Sequence, residues 1–381
     1  MGTADFFERP EPHSLIKSQI VSKYFKAWTD IMLSKTNRQR ENRIAYVDLF
    51  SGPGRFERGE ESTPLLILNQ AIASPALCDR LVTVFNDANP AHADRLRREI
   101  AQLPGISKLT NEPQLTNTEV DPDLAAWLGN PRMVPTLFFF DPWGYKGLSL
   151  DLIGNAIKSW GCDCIFFFHF DSINRSMDID SVSGLIDELF GKVRADELRR
   201  RVRGLEPELR KATILDELKH ALKEVGGQHV LPFEFRSRHS DRTSHYVIFV
   251  TKDFLGFSIM RDIMFSLSSD DAEIRSLLYN PRKSPQLQLL VDFGSPHSRA
   301  QLKDILLDVC AGMSLTVQAA YEQSTIDTPY RLPNVKIAIK SLELEKESQV
   351  SVDPPAALRP TRKGEVTLAN HLMVTFPPKK G

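Results

Sequence analysis

Two turns in this chain set residues capable of chemistry at the ends of apolar runs: Asp48-Leu49-Phe50-Ser51-Gly52-Pro53-Gly54 and Asp141-Pro142-Trp143-Gly144-Tyr145. In the first, small residues stand where a backbone must bend sharply and approach a ligand with no side chain in the way. Glycine turns after the first strand of an open α/β sheet hold nucleotide-like molecules at the point where strand order reverses. Gly52-Pro53-Gly54 lacks the third glycine of the dinucleotide fingerprint and the Lys-Ser/Thr of a phosphate-binding loop. Asp87 closes the next apolar run, where a carboxylate accepts hydrogen bonds from a ribose diol. A glycine turn paired with an acidic second strand suits an adenosyl ligand without pyrophosphate, for which S-adenosyl-L-methionine is the natural candidate. Asp48 suits the ligand's ammonium group, and Glu119, with Asp121, lies where a further strand would end and reach the adenine edge. The expected ligand set is therefore Asp48, Phe50, Ser51, Gly52, Gly54, Asp87 and Glu119. The plainer alternative is that the glycines serve only a tight turn, and that Asn117 and Asp121 are turn residues.

The second turn follows Phe138-Phe139-Phe140, a run that carries Asp141 to the carboxyl edge of a sheet. A carboxylate beside the Pro142 carbonyl offers two acceptors to an amine, and Trp143 or Tyr145 offers a ring on which a flat base stacks. Such a site orients an exocyclic amine for in-line attack on an activated methyl group. Trp143 stands where amino-methylating nucleic-acid enzymes, with Asp-Pro-Pro-aromatic, carry a second proline. A different chemistry would set Asp141 beside Lys17 or Lys252 to activate a ribose hydroxyl. The plainer alternative is a strand-ending turn with core aromatics.

The elements that must position these turns follow from periodicity. His13 to Leu33 reads as an amphipathic helix, with Ile16, Ile20, Tyr24 and Trp28 at helical spacing and Lys17 and Lys23 on its polar face. Ile44–Phe50, Leu81–Phe85, Met133–Phe140 and Ile165–Phe170 read as strands, the latter two apolar throughout as for strands covered on both faces. Ser62 or Thr63 with Pro64 starts a helix to about Ile72, and Leu148 to Trp160 is another. Alternation of this kind predicts a doubly wound, mostly parallel α/β sheet. Residues 172–227 read as a helical insertion, with strands returning at Leu231–Phe235 and His245–Thr251 before a helix over Phe257–Leu267.

Asn280 to Pro285 reads as a linker, giving domains 1–280 and 286–381. The second part is read as a winged helix: helices near Arg299–Ala311, Leu315–Gln323 and from Pro333 through Lys346, with Val350–Val352 and Leu368–Phe376 bracketing a ribbon. Its third helix sets Val335, Ile339 and Leu342 inward and Asn334, Lys336 and Lys340 outward, with Arg331 just before it. Such a helix enters a major groove while Arg362 and Lys363 touch phosphates. Arg38, Arg40 and Arg43 are further candidates for the backbone, and a base in a duplex must leave the stack to reach the second turn. Arg194, Arg199, Arg200, Arg201, Arg203 and Arg210 make another basic cluster. Solvated helix faces or a protein-docking unit are the plainer readings, since Glu343, Glu345 and Glu347 dilute the charge.

A length of 381 residues exceeds one compact core, and 25% charged with 41% apolar residues at net charge −1 is ordinary soluble composition. The four scattered cysteines exclude a disulfide framework, and Cys162-Asp163-Cys164 lacks the further ligands a metal site needs. The amino-terminal segment lacks a signal peptide's apolar middle, and no apolar run approaches the roughly 18 residues of a membrane span. The expected location is the cytoplasm.

Tyr24 with Trp28, Tyr46-Val47-Asp48-Leu49-Phe50-Ser51-Gly52-Pro53-Gly54, Gly59 to Pro64, Phe139-Phe140-Asp141-Pro142-Trp143-Gly144 and His245-Tyr246-Val247-Ile248-Phe249 together resemble the three-Cys-motif partner proteins, TcmP. The likeness spans most of residues 13 to 267. It implies a class I methyltransferase-like Rossmann fold, S-adenosyl-L-methionine at the first glycine turn, and a separately encoded cysteine-rich partner protein. Asp48, Gly52, Gly54, Asp87 and Asp141 carry over; Ser62-Thr63-Pro64 replaces the more usual Gly-Ser-Pro. The expected function is methyl transfer to nucleic acid, DNA or RNA, at an exocyclic amine. Its rivals are a non-catalytic nucleic-acid-binding or partner-scaffolding protein on the same frame, and a protein or small-molecule methyltransferase.

Overall fold

The computed structural model describes residues 12–37, 42–56, 59–129, 133–142, 147–177, 183–237, 242–269, 277–279, 299–326, 328–345, 349–362 and 364–379. The chain divides into two units, Met1–Ser269 with Leu278–Arg282, and Asp270–Leu277 with Lys283–Gly381. The expected linker at Asn280 to Pro285 lies outside the described residues.

In the first unit the elements run α1 (Pro12–Thr36), β1 (Ile44–Asp48), α2 (Thr63–Ile72), α3 (Pro75–Arg80), β2 (Leu81–Asn86), α4 (Pro90–Ala101), β3 (Gln114–Thr116), α5 (Pro122–Leu128), β4 (Thr136–Phe140), α6 (Leu150–Ile157) and β5 (Asp163–Phe168). Then come α7 (Phe170–Ser176), α8 (Ser183–Phe190), α9 (Lys192–Val202), α10 (Pro207–Glu224), β6 (His229–Arg236), β7 (Thr243–Thr251), α11 (Phe254–Leu267) and β8 (Leu278–Tyr279). One sheet takes the order β3-β2-β1-β4-β5-β7-β6-β8. β1 pairs in parallel with both β2 and β4, so strand order reverses beside β1 and a crevice opens at the carboxyl ends there. β7 alone runs against the others, antiparallel to both β5 and β6. The expected doubly wound, mostly parallel sheet is therefore what the chain builds.

The strand types explain themselves. β1, β4 and β5 are buried at every position because helices cover both faces. β3 is a short edge strand with exposed alternate residues, so it left no apolar run to find, and Met133–Phe140 proves to be the fourth strand of the chain rather than the third. Leu198, Val202, Ile214, Leu218 and Leu222 of α9 and α10 join Phe138, Phe140, Phe166 and Phe168 in one core. The helices between β5 and β6 thus form part of the layer over the sheet. Several arginines there are held by local partners. Glu217 takes Arg194 at 2.6 Å and Arg201 at 2.5 Å, Asp187 takes Arg199 at 2.7 Å, and Asn174 takes Arg210 at 2.6 Å. That pairing leaves less of this cluster open to a phosphate backbone.

The second unit contains α12 (Arg299–Val309), β9 (Ser314–Thr316), α13 (Val317–Ser324), α14 (Leu332–Leu344), β10 (Ser351–Asp353), β11 (Thr361–Arg362), β12 (Glu365–Val366) and β13 (Met373–Thr375). β10, β13 and β9 make an antiparallel sheet and β11 with β12 a small hairpin. Val335, Ile339 and Leu342 are buried as expected. The second expected helix starts two residues late, because Thr316 caps it through its Oγ1 while Ser314–Thr316 pair with β13. Asn334 is not outward: it is buried, and its Oδ1 accepts from the Arg331 backbone N–H at 2.9 Å at the start of α14. Lys340 is paired with Glu365 at 3.0 Å, whereas Arg362 is exposed. Lys363 lies outside the described residues. Among the described residues no helix is long and apolar enough to cross a membrane.

Candidate functional site

A cleft of about 600 Å³ opens in the first unit where strand order reverses, lined from the carboxyl ends of β1, β2, β4 and β5, from the start of β7 and from the first turns of α1. Its one half is the glycine turn. Gly52 and Gly54 have φ of +64° and +88°, the region that favours glycine. Gly52 has open space where a Cβ would stand, while a Cβ on Gly54 would come within 2.8 Å of Leu96 Cδ1. One glycine keeps the cleft clear and the other lets the turn pack on α4.

Asn86 fastens this half. Its side chain donates to the carbonyls of Leu49 at 3.1 Å and Thr118 at 3.0 Å and accepts from Thr116 Oγ1 at 2.8 Å. The Asn86 carbonyl in turn accepts from Ser51 N and Ser51 Oγ. A buried amide satisfied on both sides locks the ends of β1, β2 and β3 into one arrangement. Sequence reading missed Asn86, whose only signal was its position one residue before Asp87. Ser62 Oγ donates to Gly54 O at 2.8 Å, so the start of α2 is tied to the same turn.

Asp48 is 1% exposed and accepts from Phe50 N at 3.1 Å. Burial pushes its carboxyl well above the usual carboxylate range; the Phe50 bond opposes this, Asp141 and Asp87 add to it, and Lys17 lowers it in part. Among the described residues Asp48 makes no ion pair. Asp87 Oδ2 accepts from Gly52 N at 2.9 Å and Oδ1 from Asn89 N at 2.8 Å, with His92 Nδ1 at 3.4 Å. Phe50 and Ser51 line the cleft. Glu119 does not: it is exposed just beyond β3 and is not among the lining residues, because β3 ends too early to carry it inward. Asp121 caps α5 through Leu124 N at 2.8 Å, the turn role weighed for it.

The other half is the Asp141 turn. Lys17 is 8% exposed and its ammonium is paired with Asp141 Oδ2, 4.7 Å from the Phe167 ring. Lys17 was expected on the polar face of α1; the cleft lies against that face and takes the lysine in, while Lys23 stays exposed. Lys252 is at the opposite sheet edge, because β7 runs backwards, and donates to the carbonyls of Lys158 at 2.9 Å and Ser159 at 2.7 Å. Pro142 lines the cleft beside Asp141, whereas Trp143 and Tyr145 lie outside the described residues.

The cleft also takes in side chains not singled out above for chemistry, one of them through the reversal of β7. His245 at the start of β7, His169 after β5 and His13 on α1 all line the cleft. His13 and His245 ring centroids are 5.0 Å apart, and His169 and His245 are 6.4 Å apart. Burial holds His169 down to about 4; Asp141 opposes this, Lys17 adds to it, and a hydrogen bond with the Pro142 backbone works against it. Burial likewise holds His245 well below its usual range, helped by His13, His169 and Lys17. The cleft therefore joins three carboxyl groups, those of Asp48, Asp87 and Asp141, to the buried Lys17 and to the uncharged imidazoles of His169 and His245. Of the predicted arginines, Arg43 immediately precedes β1 and is not among the lining residues; Arg38 and Arg40 lie outside the described residues.

No family model and no curated protein matches the chain. Solved structures similar to it include protein LPL1258 from Legionella pneumophila, at 12% identity over 65% of this chain and 90% of that one with a TM-score of 0.37. The DszA carbon methyltransferase matches at 14% identity over 59% of this chain and 52% of that one, TM-score 0.34. An rRNA methylase from Streptococcus thermophilus matches at 9% identity over 59% and 93%, TM-score 0.28. At these scores the likeness carries no argument of its own, and the reading below stands on the cleft.

Proposed function

We propose that this protein is an S-adenosyl-L-methionine-dependent methyltransferase acting on nucleic acid at an exocyclic base amine. The observation that carries the reading is the convergence of Asp48, Asp87 and Asp141 on one cleft at the reversal of a mostly parallel sheet. Asp48 is a buried carboxyl without a cationic partner among the described residues, which fits a ligand bearing ammonium and sulfonium charges. Gly52, with open space above it, admits the ligand's backbone-facing edge, and Asp87 can take ribose hydroxyls on the lone pairs left by Gly52 N and Asn89 N. When bound, that cofactor supplies an electrophilic methyl group. The protein's own part is to hold the acceptor in line: Asp141 Oδ1 and the Pro142 carbonyl accept from the amine, while Trp143 or Tyr145 stacks on the base.

The nucleic-acid half of the reading places Arg38, Arg40 and Arg43, with Arg331, Lys336, Lys340, Arg362 and Lys363 of the second unit, against phosphates, that unit being read as a winged helix. Capture of Lys340 by Glu365 makes Lys336 and Arg362 the stronger contributors. The resemblance to TcmP adds a cysteine-rich partner protein. A second reading, methylation of a ribose hydroxyl, is favoured by one observation: Lys17 already occupies Asp141 Oδ2.

The test is radiolabelled methyl transfer onto total DNA, RNA and protein, with the cysteine-rich partner present and absent. Label entering nucleic-acid bases, lost in Asp141→Ala while S-adenosylhomocysteine still binds by calorimetry, supports the reading. Label only in protein, or no ligand uptake and no transfer with any acceptor, overturns it in favour of a protein modifier or a scaffold.

A further inference from the structure

We propose that His169 takes the proton from the methyl-accepting amine, an inference that rests on the methyl-transfer reading. His169 directly follows β5 and lines the cleft next to the Asp141 turn. An uncharged imidazole carries one N–H and one lone pair, and this ring lines the cleft together with Pro142. The ring stands edge-on to Phe167 at 4.5 Å, which holds its plane.

A second observation at the same end of the cleft points to a ligand with hydrogens to give. Ser244 Oγ lies 2.9 Å from the Phe235 carbonyl and 2.8 Å from His245 Nδ1, and both contacts are satisfied together when the hydroxyl donates to the carbonyl and Nδ1–H donates to the hydroxyl oxygen. That arrangement sets the His245 tautomer and leaves its buried Nε2 as an acceptor with no partner among the described residues. A buried acceptor left unmatched costs free energy that a bound N–H recovers. The groups around His169 are Asp141 and Pro142 from the end of β4, Lys17 from α1 and His245 from β7, with His13 against His245.

The step balances as follows. The amine nitrogen's lone pair forms the bond to the methyl carbon. The carbon–sulfur bond of the sulfonium donor breaks with its electron pair left on sulfur. The N–H proton moves to the free nitrogen of His169, and the resulting imidazolium faces the Asp141 carboxylate before releasing the proton to water. A weakly basic imidazole suffices here because a nitrogen that has just gained a methyl group is cationic and strongly acidic. It is poorly matched to a ribose hydroxyl, so the assignment also selects the amine over the hydroxyl.

The experiment uses the full chain, tritiated S-adenosylmethionine and total cellular nucleic acid as acceptor. His169→Gly should lower turnover on the order of 10²–10⁴-fold, leave S-adenosylhomocysteine affinity within about twofold by calorimetry, and regain at least about tenfold on adding imidazole. Rescue should track the neutral fraction of the added base. His169→Gln, which fills the site, should show the same loss without rescue and keeps the test valid if the glycine variant fails to fold. In ¹⁵N-imidazole spectra of the wild-type complex with S-adenosylhomocysteine, His169 should be a neutral tautomer at pH 7. Turnover within about threefold of wild type in both variants, or a protonated His169 at pH 7, overturns the assignment while leaving methyl transfer intact. Absence of transfer by the wild-type chain overturns the underlying reading instead.

Discussion

Lys17, on the first turns of α1, and Asp141, at the end of β4, form an ion pair between residues 124 positions apart, and this pair joins the amino-terminal helix to the reaction half of the cleft. The lysine is nearly fully buried and the carboxylate only partly so, which leaves Asp141 Oδ1 as the open face.

Removing the cation should therefore cost both stability and orientation. Lys17→Met leaves a partly buried carboxylate without its counter-ion, and we expect a loss of about 1–3 kcal/mol in urea unfolding, below the cost for a fully buried pair. Methyl transfer should fall at least about tenfold, because Asp141 loses the contact that fixes its rotamer. Nucleoside digestion of the residual product tells where the methyl goes: on a base for the amine reading, on ribose for the hydroxyl reading. Unchanged turnover would show that the pair is purely structural.

Much of the scaffold was legible in the residues, and the reasons are physical. β1, β4 and β5 are covered on both faces, so each is an apolar run that ends at a polar turn, and Asp48 and Asp141 fall at those ends. The Asp87 position follows in the same way from β2. What stayed hidden depends on direction and on tertiary neighbours. Nothing in Thr243–Thr251 says that β7 runs backwards, and only that reversal puts His245 in the cleft and Lys252 at the far edge. Lys17 looked like any polar-face lysine because burial by another element leaves no local mark. Glu119 was placed by assuming a full-length third strand, and β3 is too short to bring it inward. Asn334 fitted an outward helical position, but its side chain serves the helix start.

Asp48 gives a prediction about the ligand rather than the reaction. If its buried carboxyl meets a cationic ligand group, Asp48→Asn should weaken S-adenosylhomocysteine binding about ten- to a hundredfold. Because burial raises its affinity for protons, wild-type binding should also weaken as pH falls through that raised value, whereas the asparagine variant should show a flatter profile. The variant should be as stable as wild type at pH 7 or more so, since it removes a carboxyl whose ionised form burial disfavours. Calorimetry as a function of pH decides this, and equal affinities of the two proteins would remove Asp48 from the binding set.

The two glycines of the turn should fail differently. Gly52→Ala meets open space, so its cost is the left-handed backbone alone, about 1–2 kcal/mol. The added methyl stands in the cleft and should reduce ligand affinity by about tenfold or more. Gly54→Ala adds to the same backbone cost a contact 2.8 Å from Leu96 Cδ1, and should lower stability by about 2–4 kcal/mol. Thermal melts with and without S-adenosylhomocysteine separate the two: the ligand should raise the midpoint of Gly54→Ala more than that of Gly52→Ala. The opposite order would mean that the ligand does not approach Gly52.

Asp163 offers a prediction independent of any ligand. It opens β5, is buried, and accepts from Tyr24 Oη at 2.7 Å, so it ties α1 to the sheet. Burial raises its carboxyl from 3.8 to about 6, with bonds from Thr251 and Tyr24 opposing, Asp253 adding and Lys252 opposing. Between those values the folded chain holds a proton that the unfolded chain has released, so stability falls as pH rises through this window. At about 1.4 kcal/mol per pH unit the interval is worth about 3 kcal/mol, fully present below pH 3.8 and lost above about pH 6. Asp163→Asn still accepts from Tyr24 but cannot ionise, and its stability should lack this component. The difference between the wild type and the variant isolates it, because groups such as Asp48 contribute equally to both. All four tryptophans, Trp28, Trp127, Trp143 and Trp160, fall within the first unit, so their fluorescence in urea titrations from pH 4 to 7.5 reports the relevant transition. The wild type should lose about 2–3 kcal/mol relative to Asp163→Asn across that range; a difference independent of pH would show that Asp163 stays ionised in the folded protein.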